Sequence, residues 1–183
     1  REPRLTEVSE GSVQVTLKDY PEDSYLTELG LDKNTLVFFI SDNGGPTSRN
    51  TPRNDPLSGV KGDVLEGGIR IPFIACWPDV IPGGQVMDIP VSTIDVLPTA
   101  VAISGGELRT EPDYAGVNLR PFMTGENNGQ PHEWLVWRWR NKTALRRGDM
   151  KVVEPRDSLP HSGLYNLGAS LTDNAETRID NPP

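Results

Sequence analysis

The chain is 183 residues long, enough for one large domain or for a domain with a small appendage. Its 18 basic against 26 acidic residues leave a formal charge of −8, which argues against a general nucleic-acid or anionic-membrane binder. One cysteine, Cys76, rules out an intramolecular disulfide and a cysteine-rich zinc site, and His132 and His161 cannot alone build a three-histidine metal site.

An apolar fraction of 35% with a mean hydropathy of −0.47 is modest but adequate for a packed core, and no apolar stretch approaches membrane-span length. In residues 1 to 25, Val13, Val15 and Leu17 alternate with polar residues, as a short half-buried strand would, before Pro21-Glu22-Asp23-Ser24 breaks the pattern. Leu26-Thr27-Glu28-Leu29 reads as the last turn of a helix, stopped by Gly30. The continuous run Leu36-Val37-Phe38-Phe39-Ile40 is β-branched and aromatic, and too short for a typical helix. It predicts a strand buried on both faces, as in the middle of a parallel sheet.

That run stops at Ser41-Asp42-Asn43-Gly44-Gly45. In open α/β sheets the crevice beyond the carboxyl ends of strands is where ligands bind. Asp42 and Asn43 stand there with hard oxygen atoms suited to Ca²⁺ or Mg²⁺. Asx residues before Gly-Gly also form turns with no ligand, and the pattern alone favours the turn. Gly44 to Ser58 is an aperiodic loop, long enough to be a lip over a site, and Lys61 sits where it returns, between Gly59 and Gly62.

Ile71 to Trp77 predicts a second core strand, closed by Pro78 and the Ile81-Pro82-Gly83-Gly84 turn. Ser92 and Asp95 have capping-box spacing, and Ile94, Leu97 and Val101 recur at helical spacing up to Gly105-Gly106. Pro98 in the first or second turn is a point where this helix could bend. Glu107 to Gln130 is rich in turn residues. Short strands then follow at Trp134–Trp139, Lys142–Arg146, Met150–Val153 and Leu164–Leu167, with a hairpin at Arg147-Gly148-Asp149.

Several of these pieces in this order resemble the second half of a type I sulfatase, of the arylsulfatase and N-acetylgalactosamine-6-sulfatase kind in the alkaline phosphatase superfamily. They are SDNGG at a strand end, then GVKG, EGGIRIP, FIACWPDVIPGG, the VSTIDVLPTAVAISG helix and the tail RRGDMKVV with GLYNLGASLTDNAE. The likeness covers roughly Leu26 to Glu176. Residues 1 to 25 depart from it, as do Tyr114, Ala115 and Asn118 within Asp113–Pro121.

The resemblance implies an α/β fold: part of a mostly parallel sheet flanked by helices over residues 1–130, then a small antiparallel subdomain over 131–183. It implies calcium-dependent release of sulfate from an aryl or sugar sulfate. The matching residues make Asp42 and Asn43 calcium ligands and Lys61 the contact to the substrate sulfate. Periplasmic, secreted or lysosomal locations are typical of the family. Phosphodiesterase or phosphonate hydrolase relatives share the fold, and a non-catalytic sulfatase remnant is a further alternative.

Glu66, Gly67, Gly68 and Arg70 read as structural, with a Glu66–Arg70 pairing shaping the turn into the second strand. Arg49 and Arg53 could face an anionic sugar, although charged loop residues are mostly solvated, and His132 reads as a neutral surface or interdomain histidine. Sulfatases convert the first residue of Cys-x-Pro-x-Arg (or its Ser form) to formylglycine. Cys76-Trp77-Pro78-Asp79-Val80 has Val80 in place of the arginine, and the motif occurs nowhere else in the chain. Cys76 is therefore expected to be a core cysteine. The nucleophile and the remaining calcium ligands are expected upstream, and the isolated chain is expected to be inactive.

Overall fold

The structure, a computed structural model, describes residues 25–46, 54–109, 113–155, 162–171, 173 and 177–179. The strand expected around Val13, the two lip arginines Arg49 and Arg53, and His161 lie outside these residues. The chain divides into two compact units interleaved in sequence. Among the described residues the first holds 25–39 and 74–133, the second 40–73 and 134–179.

In the first unit, helix α1 (Tyr25–Glu28) ends where Gly30 and Leu31 turn their N–H groups back onto Thr27 and Leu26 carbonyls, the double closure that satisfies a helix C-terminus. Strand β1 (Val37–Ile40) pairs with β2 (Phe73–Cys76) in a two-stranded sheet. The expectation of a strand covered on both faces is not met: β2 is its only strand neighbour among the described residues, and Phe39 is 63% exposed.

A 3₁₀ turn at Thr93–Asp95 leads into α3 (Val96–Ile103), where Pro98 occupies the first turn and its missing N–H removes no helical bond. The Ser92 N–H donates to Asp95 Oδ2 at 2.7 Å, as the spacing predicts. Asp95 does more than cap. Its buried carboxylate also accepts the Val117 N–H at 2.9 Å and lies 2.9 Å from His132 Nε2. The Thr99 hydroxyl donates to the Asp95 carbonyl and accepts the Leu119 N–H, which ties α3 to the segment before α4 (Arg120–Met123). His132 is thus not a surface histidine: its side chain is 7% exposed and bonded to Asp95.

The second unit is built on an antiparallel sheet with strand order β3-β4-β5-β6-β7: Leu135–Trp139, Lys142–Arg147, Met150–Pro155, Gly163–Asn166 and Arg178–Ile179. The hairpin falls where it was expected, with Arg147 opposite Met150 across Gly148-Asp149. Val64, Leu65, Ala144, Val153, Tyr165 and Leu167 form its core, with Trp137 packed against them. Along β5, Lys151 and Val153 are buried while Val152 and Glu154 are exposed, the period-two alternation of a half-covered sheet.

Candidate functional site

Asp42 and Asn43 follow β1 after Ser41, and the loop bearing them is tied by backbone contacts to the segment before β2. The Ser41 N–H donates to the Pro72 carbonyl and the Gly44 N–H to the Gly68 carbonyl at 3.0 Å, while the Ser41 hydroxyl donates to the Asn43 carbonyl. Gly44 is buried so closely that a Cβ there would stand 1.8 Å from the Gly67 carbonyl oxygen.

The arm that carries Lys61 is shaped by Gly59 and Gly62, both left-handed with φ of 92° and 88°, a backbone that side chains disfavour. Asp63 fastens this turn: its Oδ2 accepts the Val60 N–H, and its Oδ1 pairs with Lys142 of β4, whose ammonium also donates to the Gly62 carbonyl at 3.2 Å. A third residue joins the two arms. Asn54 Oδ1 accepts the Gly45 N–H at 3.0 Å, and its Nδ2 donates to the carbonyls of Gly45 and Gly59 at 3.1 and 3.0 Å.

This clamp brings the sequence-predicted residues together. Lys61 Nζ lies 4.0 Å from Asp42 Oδ2, with the side chains 55% and 82% exposed. The pair is solvated, so it contributes little to stability and leaves both groups available to a ligand. Among the described residues no group of three or more His, Cys, Asp or Glu side chains is arranged to hold a metal ion. Asp42 and Asn43 supply two adjacent oxygen donors, a minority of the six to eight that calcium takes.

Cys76 sits inside β2, half-buried, and burial raises its thiol pKa above the usual value. A protonated thiol in a strand is a poor nucleophile. No described helix is long and apolar enough to cross a membrane.

Comparison with known proteins now has a geometry to meet. Residues 24–106, which include the Asp42 loop, the Lys61 turn and α3, match the sulfatase family model. Over these residues the chain is similar to sulfatases. Among curated sulfatases it is similar to mouse (Mus musculus) steryl-sulfatase, with 34% identity over 136 residues, 66% of this chain and 22% of that protein. It is 38% identical to arylsulfatase H of Canis lupus familiaris over 155 residues, 75% of this chain and 28% of that one. Among solved structures, Ps i-CgsB in complex with k-i-k-neocarrahexaose superposes with a TM-score of 0.71 at 29% identity, over 81% of this chain and 33% of that chain. The chain therefore spans between a fifth and a third of the length of these relatives.

Sequence reasoning missed Asn54, Lys142, Lys151 and Asp173. Lys151 left a signal: it shares the inward phase of β5 with Val153. Asn54 and Asp173 left none, because their partners are backbone groups and distant residues.

Proposed function

We propose that this chain supplies one side of a calcium-dependent sulfate-ester hydrolase site. In it, Asp42 and Asn43 give oxygen ligands to the cation and Lys61 contacts the sulfate group. The observation that carries this reading is the 4.0 Å approach of Lys61 to Asp42 on two loop arms clamped by Asn54. A sulfate ester is an anion, and a lone carboxylate would repel it. When bound, the cation offsets that repulsion and polarises the sulfur–oxygen bonds. The Lys61 ammonium adds a second positive group within reach of the same anion and offsets charge that develops on the departing oxygen. Asp63 and Lys142 hold the Lys61 turn in place, so its side chain is presented from a fixed backbone.

The two donors fit calcium in chemical type but fill a minority of its shell, and weak, millimolar binding is the expectation for this chain. Hydrolysis needs a nucleophile as well. No Cys-x-Pro-x-Arg occurs in the sequence, and the one cysteine sits within a strand with a raised pKa, so the 183-residue chain is expected not to turn over substrate. Sulfated sugars and aryl sulfates are the substrate classes proposed; similarity to a structure holding a neocarrahexaose favours the sugar.

Two measurements test this. Titration of the chain with calcium chloride, read by amide chemical shifts, should perturb Asn43 and Gly44, and Asp42→Asn should abolish that response. Hydrolysis of 4-nitrocatechol sulfate by the purified chain would overturn the assignment of the nucleophile elsewhere.

A further inference from the structure

Beneath the exposed site lies a buried cluster of charge that neither the cation nor the sulfate would touch. Lys151 of β5 is fully buried, with its Nζ 2.8 Å from Glu66 Oε1 and 2.6 Å from Asp173 Oδ2. Both are close, charge-assisted contacts between buried groups. Asp173 Oδ1 accepts the Glu66 N–H at 2.8 Å. Arg70 and Arg146 stand farther off, 3.8 and 4.0 Å from Glu66 Oε2. The Glu66–Arg70 pairing expected from sequence is therefore present but is the looser contact.

Burying such a cluster is a poor way to gain stability, since well-packed apolar residues often do as well or better. What ions add is direction. Glu66 is held twice, through its carboxylate by Lys151 and through its backbone N–H by Asp173, so the start of helix α2 (Glu66–Ile69) can neither slide nor turn. The next two residues have no side chains, and their backbone lies between the two arms of the site. Gly67 donates to the Ser58 carbonyl at 2.7 Å, and the Gly68 carbonyl accepts the Gly44 N–H. A Cβ on Gly67 would meet the Gly59 oxygen at 2.4 Å, and one on Gly68 the Asp63 oxygen at 2.4 Å. The Asp42 loop and the Lys61 arm thus both bond to the Gly67-Gly68 backbone that follows Glu66, and they meet each other where the Lys61 N–H donates to the Gly45 carbonyl at 3.4 Å.

We propose that Lys151, Glu66 and Asp173 are positioning residues that set the spacing between Asp42 and Lys61. This deepens the proposed function, since only that reading makes the spacing matter for a cation and a sulfate. The geometric half stands without it.

The experiment is native-state amide exchange on the 183-residue chain in low denaturant, with the triple variant Lys151→Met/Glu66→Gln/Asp173→Asn beside it. The triple variant removes Lys151 together with both carboxylates that face it, where a single truncation would leave one of these charges buried and unpaired; Arg146, 12% exposed, then loses its Glu66 partner at 4.0 Å. In the parent, the Gly44 and Glu66 amides should open together, with the same denaturant dependence. In the triple variant the strand amides of β3 to β5 should stay protected, while Gly44 loses about tenfold or more of its protection. Calcium-induced shifts at Asn43 should then need several-fold more calcium. Independent opening of Gly44 in the parent, or unchanged Gly44 protection in a folded triple variant, overturns the proposal. If the triple variant does not fold, the parent exchange pattern alone decides. A parent with coupled opening but no calcium response sinks the metal reading and leaves the positioning intact.

Discussion

Lys61→Met has an expected effect whose sign follows from one distance. Lys61 Nζ lies 4.0 Å from Asp42 Oδ2, and both side chains are more than half exposed. Two unit charges at that separation in water interact by about 1 kcal/mol, and exposed pairs net about 0–1 kcal/mol once side-chain entropy is charged against them. The substitution should therefore shift the urea midpoint by no more than about 0.5 kcal/mol equivalent. Calcium binding should respond in the opposite direction from a simple loss of function. In the free chain the ammonium competes for the carboxylate that the cation needs, so removing it should tighten calcium binding. About 1 kcal/mol sets the ceiling, roughly fivefold in affinity. Asp42→Asn, which removes the carboxylate itself, should weaken it.

The assay is a calcium chloride titration at low ionic strength, read from the Asn43 and Gly44 amides and repeated in added sodium chloride. The screening length falls from about 30 Å at 0.01 M salt to about 10 Å at 0.1 M, so the advantage of the variant should shrink with salt. A folded Lys61→Met chain that binds calcium equally or more weakly at low salt would refute the reasoning. It would mean that the cation does not sit at Asp42.

Three further expectations follow from other parts of the structure. Asn54→Ala removes three hydrogen bonds between the two arms and should cost about 1–3 kcal/mol, with loss of amide protection at Gly45; an unchanged urea midpoint would show that the clamp is dispensable. Asp95→Ala orphans two backbone N–H groups and the His132 ring, for about 3–5 kcal/mol, whereas Asp95→Asn should lose less because one acceptor oxygen survives; equal losses would contradict this. Burial raises the Asp173 pKa above the ordinary 3.8, with Lys151 pulling the other way, so the folded chain takes up that proton before the unfolded chain does. Between the two values this carboxyl makes stability rise as pH falls, and Asp173→Asn should remove that slope from urea midpoints measured across the range.

The parts legible in sequence were those governed by local chemistry. Short strand runs at regular spacing between turn residues placed β3 to β6 to within a residue or two at each end, and the hairpin at Gly148-Asp149 fell where it was expected. Ser92 and Asp95 met because capping depends on a fixed spacing. The missed elements have causes distant in sequence that no periodicity reports. Helix α2 is four residues containing two glycines, which propensity alone would reject. It forms because Glu66 is held by residues more than eighty positions away. Asp42, Asn43 and Lys61 were singled out by resemblance to a family, since a turn was the better reading of Asp42 and Asn43 themselves.

The two sets of charges in the second unit differ in a way that separates their roles. Asp42 and Lys61 are solvated and loosely paired, so little in the fold depends on their charge. Glu66, Lys151 and Asp173 are buried and close, so a ligand could reach them only by disrupting the fold around the central strand β5. An exposed charged residue is the ordinary state, whereas one kept buried where an apolar residue would serve is a departure from the cheapest fold. Here the first lies within a few residues of the second, joined by Gly67 and Gly68. That adjacency is the reason to read the buried cluster as serving the exposed one rather than as a feature of the core alone.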